Sequence, residues 1–103
     1  MLTCNYPPEA LKNKIFEEIS NIRDPESGQT LREKKLIDYI HINDENVAVV
    51  FGPPNKFSLK STCVYIGKKI KQIIIKVCPG KKIKVTIRHH KYEDEINNII
   101  SKS

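Results

Sequence analysis

The chain has 103 residues and a net charge of +6, and 39% of its residues are hydrophobic. This length predicts one domain, since domains typically run to about 100–200 residues. We therefore treat residues 1–103 as a single domain with residues 1–7 as a mobile terminus. So short a chain leaves little room for a large walled pocket, which argues against a self-contained enzyme. The longest apolar run covers only residues 47–51, so no membrane-spanning helix is expected.

The N-terminal region and the cysteines indicate an intracellular protein. Residues 1–8 contain no apolar core of the kind that a secretion signal needs, and acidic residues begin at Glu9, too early for a mitochondrial presequence. We therefore expect the protein in the cytoplasm, with the nucleus as a second location. The cysteines, Cys4, Cys63 and Cys78, form no C-x-x-C pair, so neither a disulfide framework nor a self-contained zinc site is predicted.

Positive charge is concentrated in one half of the chain. Between Asn46 and Tyr92 there are eleven basic residues and no acidic ones. This half predicts either a surface for nucleic acid or an acidic partner, or else a solvated lysine-rich face. Lysines outnumber arginines fifteen to three, which weakens the nucleic-acid interpretation because Arg is preferred for bidentate phosphate contacts. The candidate basic surface consists of Lys60, Lys68, Lys69, Lys71, Lys82, Lys84 and Arg88.

Apolar spacing and turn residues predict six elements in the order α-β-β-α-β-α. In chain order they are a helix that opens at residues 7–9 and stops before Pro25, strands over residues 35–42 and 47–51, a helix over 59–77, a strand over 83–87 and a helix over 93–100. Proline supports both ends of the first helix, because it is tolerated at a helix start and disfavours helical geometry in the residue before it.

The fold class that follows is α+β, a single small domain with a three-stranded sheet and helices packed on it. The long helix anchors the core through one apolar face, with Ser58 as its N-cap. That face consists of Leu59, Cys63, Ile66, Ile70, Ile73 and Val77. The β-α-β connection is expected to be right-handed, and we place the crossing strand beside the first strand of the hairpin.

Side chains that could carry chemistry are few, and we predict no catalytic residue and no metal ligand. His89 and His90 lie near the acids of residues 93–95, but a metal needs three or four converging ligands, so a solvated turn is favoured. Cys63 is the candidate thiol. On an apolar helix face it is expected to be a buried hydrophobe with a raised pKa, whereas a position near Lys60 and the helix N-terminus would favour the thiolate.

One short stretch favours RNA binding. Residues 64–73 resemble the start of a KH domain, in which a Gly-x-x-Gly loop clamps backbone phosphates. Ile70 stands where the second glycine would be, and Gly67 lies inside a continuous helical pattern. A small KH-like RNA-binding domain that uses the Lys-rich half is therefore kept as the alternative function.

Two stretches resemble the SufT/PaaD-like domain family. Residues 19–26, which end in Asp24, Pro25 and Glu26, are similar to the Asp-Pro-Glu motif after the family's first helix. Residues 90–97 resemble the His-x-x-Glu-Glu-Asp-Ile-Asn motif of its eukaryotic branch, which supplies the targeting component of cytosolic iron–sulfur protein assembly. The motif residues, which we predict to contact partners or to brace those contacts, are Asp24, Pro25, Glu26, His90, Glu93, Asp94, Glu95 and Asn97.

The resemblance implies a non-enzymatic adaptor that helps to target cluster insertion into apo-proteins. Its implied partners are a WD-repeat β-propeller protein, a HEAT-repeat scaffold and apo-protein clients, and exposed sheet edges also allow a homodimer. The family carries a reactive Cys at the start of its second helix, and here that position falls on Phe57, Ser58 or Lys60. Because none of these is a thiol, we expect no cofactor and no bound iron or cluster.

Overall fold

The computed structural model describes residues 7–54 and 57–102, so Cys4 and most of the predicted mobile terminus lie outside the described residues. The elements are helix α1 (Pro8–Ser20), helix α2 (Leu31–Lys34), strand β1 (Ile37–Ile42), strand β2 (Asn46–Phe51), helix α3 (Lys60–Val77), strand β3 (Lys82–Ile87) and helix α4 (Glu93–Ser101). The predicted α+β class and the order of its six elements are confirmed. Within the described ranges, no helix is long and apolar enough to cross a membrane.

Helix α2 is an element that the sequence patterns did not predict. It begins with a capping box, in which the Thr30 hydroxyl accepts from the Glu33 backbone N–H and the Glu33 carboxylate accepts from the Thr30 backbone N–H. It ends at Lys35 in the left-handed region, with φ of 55°. The Thr-x-x-Glu signature is visible in the sequence, but a four-residue helix is too short to show an apolar period.

The three strands form one sheet in the order β1-β2-β3. Strands β1 and β2 pair antiparallel, as the predicted hairpin requires, and β3 pairs with β2 in parallel. The expected place of β3 beside β1 is therefore wrong. Strand β2 is therefore the central strand, which pairs with both of the others, and α1 packs against β1.

The core lies between the sheet and the helices. Helices α1 and α4 both pack on α3, and α3 and α4 pack on β3. The buried residues of α3 step by four along most of its length, from Cys63 and Ile66 to Ile70, Ile74 and the adjoining Cys78.

Two details of the predicted α3 face are wrong. Ile73 and Val77 are only half-buried, and Leu59 is 62% exposed. Rows of residues spaced by four run obliquely to a helix axis, so in the C-terminal half of α3 Ile74 is fully buried while Ile73 and Val77 pack at the margin of the core. The cap also differs, because Leu59 occupies the N-cap position without a side-chain hydrogen bond.

Gly67 lies inside α3, where it contacts α4. A Cβ atom at this position would lie 2.3 Å from Ile100 Cδ1 and 2.8 Å from Ile100 Cγ1. The glycine therefore allows close approach of the two helices. The KH-like interpretation is wrong on this point, since its phosphate-clamping glycine would have to lie in a loop between helices.

Candidate functional site

The Asp24-Pro25-Glu26 motif forms a turn between α1 and α2, as its composition predicts. Asp24 is completely buried, and its backbone closes the loop at both ends. Its N–H donates to Gln29 O at 2.8 Å, and its carbonyl accepts from Gly28 N at 2.7 Å. Gly28 has φ of 76°, a conformation that glycine adopts without strain.

The Asp24 carboxylate fixes the inside of this loop. Oδ1 accepts from the Glu26 backbone N–H at 2.9 Å, and Oδ2 accepts from Ser27 Oγ at 2.9 Å. Lys34 Nζ lies 3.7 Å from Oδ2. A buried carboxylate with these partners keeps its charge satisfied, so Asp24 shapes the loop from within while Pro25 and Glu26 are exposed.

Cys63 lies in the first turns of α3 and within electrostatic reach of this loop. The side chain is fully buried, and burial raises the pKa of its thiol to about 11, with the charges of Glu26 and Asp24 adding to the effect. The helix N-terminus, which favours the thiolate, does not outweigh burial and the two negative charges. At neutral pH the side chain is therefore a protonated thiol, which is a poor nucleophile and a poor metal ligand.

His90 joins the turn before α4 to the segment that leads into α3. The imidazole is 6% exposed, and its Nε2 lies 2.8 Å from the carbonyl oxygen of Ser58. Its Nδ1 accepts from the Tyr92 backbone N–H at 2.9 Å. Since Nδ1 accepts, Nε2 carries the proton and donates to Ser58, and both ring nitrogens of the neutral imidazole are satisfied.

The remaining motif residues belong to α4 and divide into half-buried and exposed groups. The Asn97 amide binds both backbone groups of Ile87 in β3. Glu93 is half-buried, while Asp94 and Glu95 are exposed. The three acids occupy the first turn of α4, where negative charge complements the helix dipole.

Lys60 connects the start of α3 to the exposed acids of α4. Its Nζ pairs with the Glu95 carboxylate and lies 4.7 Å from the centre of the Tyr92 ring. The hydrogen bond to Glu95 raises the pKa of Lys60. One surface at the N-terminal ends of α3 and α4 therefore combines the Lys60–Glu95 ion pair with an exposed aromatic ring, while Asp94 lines a groove beside β3.

Comparison with known proteins identifies the family. A family model described as iron–sulfur cluster assembly protein matches residues 12–87. The chain belongs to this family.

A curated relative extends the similarity to most of the chain. Protein AE7 of Arabidopsis thaliana is 28% identical over 110 residues, which cover 93% of this chain. The same alignment covers 65% of that protein, so this chain spans less than two thirds of its relative's length. The SufT/PaaD-like resemblance that the Asp-Pro-Glu turn and residues 90–97 indicated is confirmed at the level of the family.

Family membership raises the question of whether described residues fit an iron–sulfur cluster as direct ligands. Among residues 7–54 and 57–102, no three His, Cys, Asp or Glu side chains are grouped so that they could hold a metal ion. Cys63 and Cys78 are free thiols and both are buried. The described donors therefore do not fit direct ligation of a cluster, and the expectation of no bound cofactor stays a prediction.

The candidate basic residues lie on α3, on β3 and directly after β3. Lys60 is paired with Glu95, and Lys71 Nζ donates to the carbonyl of Ile100 at 3.3 Å. Lys68 and Lys69 are exposed on α3, whereas Lys82 and Lys84 are exposed on β3. Arg88 follows β3, and its guanidinium lies 5.9 Å from the centre of the Tyr39 ring.

Sequence reasoning missed the partners that hold the motif residues in place. Ser27 and Lys34 complete the Asp24 loop, and Ser58 and Tyr92 supply backbone groups to His90. Ser27 could have been found from its place three residues after Asp24, a common spacing for side-chain bonds in turns. The backbone groups bonded to His90 could not have been found in this way, because every residue type other than proline supplies the same backbone donor and acceptor.

Proposed function

We propose that this protein is a non-enzymatic adaptor in cytosolic iron–sulfur protein assembly, which helps to target cluster insertion into apo-proteins. The observation that carries the proposal is the arrangement of residues 90–97. His90 and Asn97 are held inside the fold by hydrogen bonds, and between them Asp94 and Glu95 remain exposed. Hydrogen bonds that fix a helix in place and leave its charged side chains exposed suit recognition of another protein.

The proposed partners are those implied by the family resemblance. They are a WD-repeat β-propeller protein, a HEAT-repeat scaffold and the apo-protein clients, and the proposed location is the cytoplasm, with the nucleus as a second location. The exposed surface of Tyr92, Lys60 and Glu95 supports this proposal because aromatic residues are enriched at the centres of protein interfaces. Tyr92 is 47% exposed, which leaves its ring available for contact.

The adaptor role is favoured over a thiol-dependent enzyme by the state of Cys63. Nucleophilic catalysis by Cys requires the thiolate, which a lowered pKa or a neighbouring base provides. Here the pKa is raised to about 11 and the side chain is buried. An adaptor requires a surface alone, so the loss of the family's reactive Cys is compatible with the proposed role.

The proposal is tested by affinity purification of the tagged protein from its own cells, with nuclease treatment and mass spectrometry. We expect a WD-repeat protein and a HEAT-repeat protein in near-equal amounts. Glu95→Arg is expected to reduce their recovery by about tenfold, equivalent to about 1.4 kcal/mol. The matched control is Asp44→Arg, which changes an exposed acid in the β1–β2 turn and should leave recovery unchanged.

One result would contradict the adaptor role, and another would contradict the assignment of its interface. One is recovery of RNA-processing or ribosomal proteins that disappear after nuclease treatment, since this would assign function to the Lys-rich half. The other is equal recovery of both repeat proteins with Glu95→Arg and the wild type, which would remove this face of α4 from the interface. Circular dichroism of both variants checks that the fold is retained.

A further inference from the structure

Strand β3 has one hydrogen-bonding edge directed away from the sheet. Lys82 N donates to Glu45 O and Arg88 N donates to Phe51 O, so the even-numbered residues of this segment face β2. Alternate residues of a strand direct their backbone groups to opposite sides, which places those of Ile83, Val85 and Ile87 on the other edge. Because β3 is the last strand in the order β1-β2-β3, this edge borders no further strand.

Helix α4 bonds to this edge at Ile87 and lines the groove beside it. Asn97 binds both backbone groups of Ile87. Beside the remaining length lies a groove of about 340 Å³. The residues that matter here are Ile83, Lys84 and Val85 along the strand, Lys71 on α3, and Asp94 and Ile100 on α4.

We propose that this groove binds an extended peptide segment of a partner protein, which adds to the sheet as a fourth strand, and that the segment alternates acidic and aliphatic residues. The main-chain groups of Ile83 and Val85 match the spacing of an extended backbone, which is the basis of β-strand addition. This interaction surface is separate from the face of Tyr92, Lys60 and Glu95 and does not depend on the adaptor role.

The charges around the groove predict which side chains the bound peptide segment carries on each face. Lys82 and Lys84 are exposed on the outer face of the sheet, and Lys71 lines the groove with Asp94 as the acidic member of the lining. Cross-strand neighbours share a face, so acidic side chains of an added strand would lie beside Lys82 and Lys84. The intervening side chains would lie on the inner face, next to Ile83 and Ile100, where aliphatic residues fit.

The same lysines argue against a second copy of this chain as the occupant. If two β3 edges paired, the Lys82 and Lys84 side chains of both copies would approach each other on one face. Like charges on facing strands are destabilising, and lysine on an edge strand is a common feature that prevents self-association. The acidic side chains of a partner segment would instead be attracted to Lys82 and Lys84.

The test is a titration of the full-length, ¹⁵N-labelled protein followed by NMR. The probe is an acetylated and amidated seven-residue peptide that alternates valine and glutamate. We expect saturable shifts centred on the amides of Ile83 and Val85. Lys84→Glu should weaken binding by about tenfold or more, whereas Lys68→Glu, which changes an exposed lysine on α3, should leave the dissociation constant unchanged.

Two further peptides separate backbone pairing from simple charge attraction. A peptide of the same length that alternates valine and lysine should fail to bind, and the glutamate peptide with N-methyl groups on alternate amides should bind at least about tenfold more weakly. Equal binding of the N-methylated peptide would overturn strand addition. Unchanged Ile83 and Val85 amides at millimolar peptide, or shifts that track protein concentration because two copies pair, would overturn the proposal as a whole.

Discussion

The Asn97 side chain binds the backbone of Ile87 in the way that a neighbouring strand would. Its Oδ1 accepts from Ile87 N at 2.7 Å, and its Nδ2 donates to Ile87 O at 3.2 Å. The amide thus completes the end of β3 and fixes α4 to the sheet. Because α4 also packs on α3, this contact connects the exposed acids of α4 to the core of the domain.

Asn97→Asp should destabilise the domain. A carboxylate can still accept from Ile87 N, but it cannot donate to Ile87 O, and a part-buried acceptor loses its partner. The free energy of unfolding should fall by about 1–3 kcal/mol. The measurement is urea unfolding at pH 7, with Asn98→Asp as the matched control because Asn98 is exposed on the same helix. Equal effects of the two variants would contradict a bonding role for Asn97.

Gly67→Ala should test the close approach of α3 and α4. The added methyl group meets Ile100 Cδ1 and Cγ1 at 2.3 and 2.8 Å, and overpacking a core usually costs about 1–3 kcal/mol. Helix propensity acts the other way, since Ala is favoured over Gly by about 1 kcal/mol. We therefore expect a net loss of stability in the wild-type background.

The companion variant is Ile100→Ala, which removes the side chain that the new methyl group would meet. In that background Gly67→Ala should raise the free energy of unfolding, because only the gain in helix propensity and the filled cavity remain. A double-mutant cycle by thermal unfolding measures this change of sign. The same effect of Gly67→Ala in both backgrounds would show that the glycine is not required by the contact.

His90→Asn should isolate the hydrogen bond between His90 and Ser58. The Asn side-chain oxygen can replace Nδ1 as the acceptor for Tyr92 N, but no atom reaches the position of Nε2. The Ser58 carbonyl then loses its hydrogen bond from Nε2, and stability should fall by about 1–3 kcal/mol. The neighbouring variant His89→Asn is the control, since the His89 side chain is 77% exposed and Asn tolerates its positive φ of 67°.

Urea unfolding should distinguish the two variants, His89→Asn and His90→Asn, by their free energies of unfolding. His89→Asn should change the free energy of unfolding by less than about 0.5 kcal/mol, as is usual for surface substitutions. If His90→Asn is equally mild, the bridge to Ser58 does not hold the segment before α3 in place.

Cys63 should make stability depend on alkaline pH. Burial raises the pKa of its thiol from 9.0 to about 11 in the folded protein. Between these values the unfolded chain loses the proton while the folded chain keeps it, so the free energy of unfolding falls as pH rises, by up to about 1.4 kcal/mol per pH unit. Below pH 9 this contribution does not change.

The measurement is urea unfolding in reductant from pH 8 to pH 11 for the wild type and Cys63→Ala. The alanine variant lacks the titrating group, so the difference in stability between the two proteins should shrink across this range. A constant difference would show that the thiol titrates alike in both states. All other residues are common to both proteins, so their contributions cancel in the difference.

The sequence predicted the elements well and their arrangement less completely. Alternation at Ile83, Val85 and Ile87 located β3, because one face of that strand is buried and the other is solvated. The predicted neighbour of β3 was wrong because the alternating pattern of β3 is compatible with pairing to either strand of the hairpin. That choice depends on contacts distant in sequence, which no local pattern contains.

The motif residues show the same limit of prediction from local sequence patterns. The sequence predicts the positions of these residues, and it predicts that Asp24 and His90 either contact a partner or brace such contacts. In the structure both are buried and bind backbone groups of nearby loops. The identity of a polar residue is the same whether it contacts a partner or supports the fold. Its burial therefore becomes known only from the structure.

The central claim, an adaptor for iron–sulfur protein assembly that requires no thiol of its own, is tested most directly in cells. Radioactive iron incorporation into cytosolic iron–sulfur proteins would be measured after depletion of this protein and re-expression of the wild type or Cys63→Ala. The account predicts that depletion lowers incorporation and that both proteins restore it equally. Unchanged incorporation on depletion, or failure of a folded Cys63→Ala variant to restore it, would contradict the account.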